Sequence, residues 1–135
     1  MFGWAREIVT RSRELVSAIS RENGTPAYME LVIAVEHIAW AARNAKRVLR
    51  PRNVPTGVLM ANYAAAVHHE LYDVIGIISS WNYPLFAPIA AMASALAAGN
   101  AVVLKPSEYA TGVGTLLVDC FRSANQHLPR SVVER

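Results

Sequence analysis

The sequence predicts an α/β fold: an incomplete Rossmann-like doubly wound parallel sheet preceded by N-terminal helices and a β-hairpin. Three observations carry this. Val74-Ile75-Gly76-Ile77-Ile78 has the β-branched continuity of a parallel strand buried on both faces. Leu85 to Ala97 reads as an apolar helix closed by Gly99-Asn100, with Ala101 to Leu104 as a second buried strand. A strand–helix–strand unit crosses over right-handedly, which sends both strand ends to one rim.

Each element follows from its own pattern. Phe2 to Arg21 sets Ile8, Leu15, Val16 and Ile19 at helical spacing among charges, giving an amphipathic helix. Gly24 and Pro26 separate it from a longer helix, Ala27 to Arg50, whose inner stripe is Leu31, Val35, Ile38 and Ala42. Glu30 near its start and the basic residues near its end match the helix dipole, and Pro51 stops it. Val58 to Tyr63 and Ala65 to Tyr72 read as the two strands of the hairpin, an apolar projection suited to contact between subunits.

Past the first parallel strand, Pro84 opens the apolar helix, whose inner stripe is Leu85, Ile89, Met92 and Leu96. Thr111 is placed to cap a further helix with Leu116, Leu117, Cys120 and Phe121 inside, closed by His127-Leu128-Pro129. Ser131 to Arg135 resembles the opening of a third strand. A soft boundary near Asp73 divides residues 1–73, the helices and hairpin, from residues 74–135, the incomplete sheet unit.

Composition narrows the class. Of the 135 residues 53% are hydrophobic, high for a free-standing domain, which points to surface intended to be covered by more chain or by a partner. The charge of +3 invites a nucleic-acid reading. It is not taken, because Arg43, Lys46, Arg47, Arg50 and Arg52 gather at one helix end. A single cysteine excludes an internal disulfide, and charges at Arg6, Glu7, Arg11, Arg13 and Glu14 leave no signal-peptide core, so a cytoplasmic protein is expected. The stretch Val74 to Leu104 carries no Asp, Glu, Lys or Arg, but Trp81-Asn82-Tyr83-Pro84, Pro88 and Gly99-Asn100 cut it below membrane-spanning length.

Trp81-Asn82-Tyr83-Pro84, followed by Ala97-Ala98-Gly99-Asn100-Ala101-Val102-Val103-Leu104-Lys105-Pro106-Ser107-Glu108, resembles the aldehyde dehydrogenase superfamily. Glu22-Asn23-Gly24-Thr25-Pro26 with Glu30 is similar to that family's Glu-x-Gly-Lys-Pro segment, with threonine at the lysine position. The resemblance implies NAD or NADP as cofactor and an aldehyde as substrate, and makes residues 74–135 a partial dinucleotide-binding domain. It implies that the Asn82 amide donates to the aldehyde oxygen, where a preorganised donor stabilises developing negative charge. It also implies that Glu108 and Lys105 meet the adenosine ribose, with Ser79, Ser80, Trp81, Pro106 and Ser107 lining the cofactor crevice. Taken alone, Asn82 is also an ordinary turn residue, and Lys105 with Glu108 an ordinary solvated pair.

Departures from the family are equally legible. Leu71-Tyr72-Asp73 stands where the family has Pro-x-Gly, and Ser79-Ser80 where it often has Gly-Pro. The family's nucleophilic cysteine, its water-activating glutamate and its pyrophosphate-binding turn find no match. Cys120 lies at an apolar helical position and reads as core. His68-His69 point to opposite faces of a strand and read as hairpin surface, and Gly112-Val113-Gly114 as helix-start spacing rather than a dinucleotide fingerprint. The expectation is a truncated or decaying family member, inactive alone. The alternatives are a non-catalytic fragment that either fails to fold or associates, through its hairpin and exposed sheet edge, with a longer homologue or with itself, and a basic interaction module.

Overall fold

The computed structural model describes residues 1–24, 26–127 and, in their backbone, 133–134. Among the described residues five α-helices and two small sheets follow one another: α1 (Phe2–Thr10), α2 (Ser12–Glu22), α3 (Ala27–Leu49), β1 (Arg52–Val54), β2 (Ala65–Val67), β3 (Val74–Ile78), α4 (Phe86–Ala97), β4 (Ala101–Lys105), α5 (Thr111–Ala124) and β5 (Val133–Glu134). The expected N-terminal helix is therefore two helices, interrupted at Arg11, whose guanidinium turns to Glu14 at 2.8 Å.

The parallel unit lies where the apolar pattern put it. β3 pairs with β4 from Val74↔Ala101 to Ile78↔Lys105, and β4 pairs with β5 through Val102↔Val133. The strand order β3-β4-β5 is sequential, and residues of α4 and α5 share one core with the sheet, as the right-handed crossover rule leads one to expect. Ile77, Val102 and Leu104 are buried there against Ile89 and Met92 of α4 and Val113 and Leu117 of α5. The same core runs on into α1, α2 and α3 through Trp4, Ile8, Leu15, Ile19 and Ile38. The Trp4 and Phe121 rings meet edge to face at 5.4 Å, joining α1 to α5. Cys120 is buried in this core, and burial pushes its thiol up to about 11, which leaves it protonated and inert.

Burial of β3 on both faces is the first correction. Val74, Ile78 and Val103 look away from the helices and are 57%, 82% and 44% exposed. A β-branched run is the same text whether one face or two are covered; here the second face has no covering layer among the described residues.

The hairpin is the second correction. It exists, but its strands are β1 and β2, paired antiparallel through Arg52↔Val67 and Val54↔Ala65. Val58–Met60, expected as a strand, forms a single 3₁₀ turn in the intervening loop, with Val58 and Leu59 almost wholly exposed. Apolar content suggested a strand there, but Pro55 and Gly57 bend the chain, and the loop closes by Thr56 Oγ1 donating to the Tyr63 carbonyl. His68 and His69 follow β2 and are exposed, and no cluster of potential metal ligands occurs among the described residues.

Helix ends supply two further differences. α4 starts at Phe86 rather than at Pro84, and Thr111 is the first residue of α5 rather than its cap. Neither helix has a cap from its own N-cap side chain. The expected stop of α4 is realised: Gly99 takes φ +91, and the buried Asn100 donates from Nδ2 to the Ala95 carbonyl while accepting from Tyr72 N–H at 2.7 Å. Asp73 sits in the left-handed region at φ +68. No helix among the described residues is long and apolar enough to cross a membrane. Leu128, Pro129, Arg130, Ser131 and Val132, within the expected helix end and third strand, lie outside the described residues.

Candidate functional site

Because Ile78 pairs with Lys105, the segments beyond them leave the sheet side by side at the carboxyl ends of β3 and β4. Ser79 N–H donates to the Lys105 carbonyl at 3.0 Å, carrying the ladder one step past the strands. Ser79 is buried, whereas Ser80, Trp81 and Asn82 are exposed on the first segment. On the second, Lys105 and Glu108 are exposed, Pro106 is half-buried and Ser107 is buried. Ser107 accepts from Tyr109 N–H and so caps the short 3₁₀ turn Glu108–Ala110. The residues singled out from the sequence thus emerge on one rim, the position at which open α/β sheets receive ligands.

Both segments are braced from the helical layer. Glu30, buried in α3, accepts at one oxygen from Leu85 N–H and Phe86 N–H, each at 2.8 Å. The donors are the first free N–H groups of α4, which otherwise need a cap. Asn23 adds a bond from Nδ2 to the Asn82 carbonyl at 3.2 Å. On the second segment Glu22 accepts from Gly112 N–H at 3.0 Å and Val113 N–H at 3.1 Å, so a carboxylate from α2 caps α5. A side chain at Gly112 would strike that carboxylate, and a Cβ at Gly114 would come within 2.6 Å of Pro106. The two glycines keep α5 close enough to be capped and packed.

Glu30 lies in the first turn of its own helix, as its sequence position implies, and its carboxylate also serves α4. Burial holds its carboxyl above the ordinary value, outweighing the two N–H donors that pull the other way. Its second oxygen, Oε2, is buried without a hydrogen-bond partner.

Beside that carboxylate a partly open cavity of about 770 Å³ runs between α3 and the start of α4. Met29, Ile33, Tyr83 and Phe86 form its walls, and Asn82 lines it. Sequence reading missed these walls. The signal was present as a second apolar stripe on α3, Met29, Val32 and Ile33, off the buried stripe of Leu31, Ala34 and Ile38.

A partial parallel α/β sheet with a polar rim at its strand ends defines the class. The model of the aldehyde dehydrogenase family matches residues 1–135, and the chain belongs to that family. It is 40% identical over 106 residues to a 4,4′-diapolycopene aldehyde oxidase of Methylomonas, covering 78% of this chain and 20% of that protein. It is 32% identical over 120 residues to a probable coniferyl aldehyde dehydrogenase of Pseudomonas aeruginosa, covering 84% and 25%. Among solved structures, an NADP-dependent glyceraldehyde-3-phosphate dehydrogenase of Bacillus halodurans complexed with NADP superposes with a TM-score of 0.85 at 27% identity, over 98% of this chain and 28% of the other. The chain thus spans between a fifth and a little over a quarter of the length of these relatives.

Proposed function

We propose that these 135 residues are the N-terminal part of an NAD(P)-dependent aldehyde dehydrogenase and carry one side of its active site. The observation that supports this is the Ile78↔Lys105 register, which delivers Asn82 and the Lys105–Glu108 segment to a single rim.

On this reading the exposed Glu108 carboxylate accepts from the ribose hydroxyls and Lys105 donates to them, while Ser79, Ser80, Trp81, Pro106 and Ser107 line the crevice. A lysine beside the carboxylate also accommodates a 2′-phosphate, so NAD and NADP both fit the donor set. The N–H groups of Gly112 and Val113 already serve Glu22, so the pyrophosphate draws its donors from elsewhere in the protein. Asn82, held by Asn23 behind it and Glu30 beyond it, presents its amide to the aldehyde oxygen. When bound, the nicotinamide supplies the hydride acceptor.

Acyl transfer through a thiolate needs a nucleophile and a base, and the single cysteine of these residues is buried in α5. The isolated chain is therefore expected to be inactive. The alternative, association with a longer homologue or with a second copy through the hairpin and the open sheet face, draws on the exposed Val58, Leu59, Val74 and Ile78.

The test is a titration of the chain with NAD+ and NADP+, followed by calorimetry and by amide chemical shifts. Affinity no tighter than about 0.1 mM is expected, with shifts at Ser79, Ser80 and Ser107 that vanish in Glu108→Ala. Micromolar affinity would refute the partial site, and shifts indifferent to Glu108→Ala would refute the ribose assignment.

A further inference from the structure

We infer that the end of α3 and the hairpin that follows it form a docking face for an anionic phospholipid surface. The inference goes beyond the proposed function and does not depend on it. Arg43, the first cation of the face, lies about 20 Å along α3 from Glu30 and the rim that Glu30 braces.

The distribution of charge carries it. From His37 to His69 the chain holds five of its thirteen lysine and arginine residues and none of its ten acidic ones. Arg43, Lys46, Arg47 and Arg50 recur at i, i+3, i+4 and i+7, so they share one face of the helix and its C-cap, and all four are exposed. Arg52 follows, exposed at the start of β1. Among the described residues no carboxylate pairs with any of the five; Arg47 donates to the Asn44 side-chain oxygen at 2.8 Å, which leaves its charge uncompensated. Cations in a last turn complement the helix dipole, an effect confined to that turn. It accounts for Lys46 and Arg47, but Arg43 lies a turn further back and Arg52 beyond the helix.

Apolar groups beside the cations select a lipid surface. Trp40, three residues before Arg43 on the same face, is 52% exposed, and Val58 and Leu59 in the hairpin loop are 94% and 95% exposed. Val58 follows Arg52 by six residues, at most about 20 Å of chain. Headgroup phosphates would meet the guanidinium and ammonium groups while the tryptophan ring and the two aliphatic side chains enter the acyl boundary, the two-part attachment of a surface-bound protein. Attachment of this kind needs no spanning helix. A nucleic acid would use the cations but leave Val58 and Leu59 in water.

The test is co-sedimentation of the full 135-residue chain with vesicles of phosphatidylcholine alone and of phosphatidylcholine mixed with phosphatidylserine. Binding should require phosphatidylserine and fall steeply with added salt. Lys46→Gln with Arg50→Gln should weaken it at least about tenfold. Arg6→Gln with Arg13→Gln removes the same charge from exposed positions on α1 and α2 and should weaken it less than about twofold. Val58→Ser with Leu59→Ser, in the exposed loop, should again cost at least about tenfold. All six positions are exposed, and the amide spectrum of each variant checks that its fold is intact. No binding, equal binding to phosphatidylcholine alone, equal loss from the two charge pairs, or indifference to the loop substitutions would each overturn the inference. Tighter capture by a single-stranded RNA than by the mixed vesicles would overturn it as well, and would assign the cations to a nucleic acid.

Discussion

The Asn82 segment and the Lys105–Glu108 segment are built on one plan and differ in where their brace is kept. Each leaves a parallel strand, crosses a short polar turn and enters a helix without a cap from its own N-cap residue. Each helix then receives a glutamate from the N-terminal layer, Glu30 for α4 and Glu22 for α5. Glu30 is 5% exposed, whereas Glu22 is exposed. Water can stand in for Glu22 but not for Glu30, so the same two-bond geometry should have different energetic weight. The helix behind Asn82 is therefore held by buried hydrogen bonds, and the helix behind Lys105 and Glu108 by hydrogen bonds that solvent can replace.

The largest expected effect breaks the buried brace. Glu30→Ala leaves the N–H groups of Leu85 and Phe86 without an acceptor and should cost about 2–4 kcal/mol in urea unfolding. Glu30→Gln keeps an acceptor and sharpens the point through pH. A carboxyl raised by burial holds its proton more tightly folded than unfolded, so its contribution is full below its ordinary value of 4.5 and is lost as pH rises through the folded value. The stability advantage of the native chain over Glu30→Gln should accordingly shrink from pH 4 upward, and an advantage that grows would show the two N–H donors outweighing burial.

Next comes the packing of the other segment. Gly114→Ala puts a methyl 2.6 Å from Pro106 Cβ and should cost about 1–3 kcal/mol, read as a lowered urea midpoint with displaced amide shifts at Ser107 and Glu108. Glu22→Ala removes the exposed brace and should cost about 1 kcal/mol, the ordinary value of a cap. A loss as large as that of Glu30→Ala would erase the contrast between the two sides. Smallest is Asp73→Gly, which relieves a left-handed φ of +68 just before β3 and should stabilise by about 0.5 kcal/mol in the same measurement.

Local grammar made much of this readable. The β-branched run at Val74, the Gly99-Asn100 stop and the heptad-like spacing in α3 each carry their structure within a few residues, and each element lies where its pattern places it. The hydrophobic excess of the composition likewise pointed to uncovered surface, which the sheet and α3 display. What escaped was long-range. Glu30 meets Phe86 across 56 positions and Glu22 meets Val113 across 91, and no periodicity connects residues so far apart. The hairpin was misplaced for a different reason: Val58-Leu59-Met60 has strand-like composition, but pairing is decided by which neighbour is available. That the segments after β3 and β4 leave the sheet at the same end was legible because parallel strands with a helix between them must exit together.

The bare side of the three-stranded sheet governs the colloidal behaviour of the polypeptide. Val74, Ile78 and Val103 offer neighbouring molecules an oily surface beside a β3 edge that no strand among the described residues pairs, and a net charge of +3 offers little repulsion against stacking. Concentrated alone, the polypeptide is expected to cluster through that surface unless something shields it.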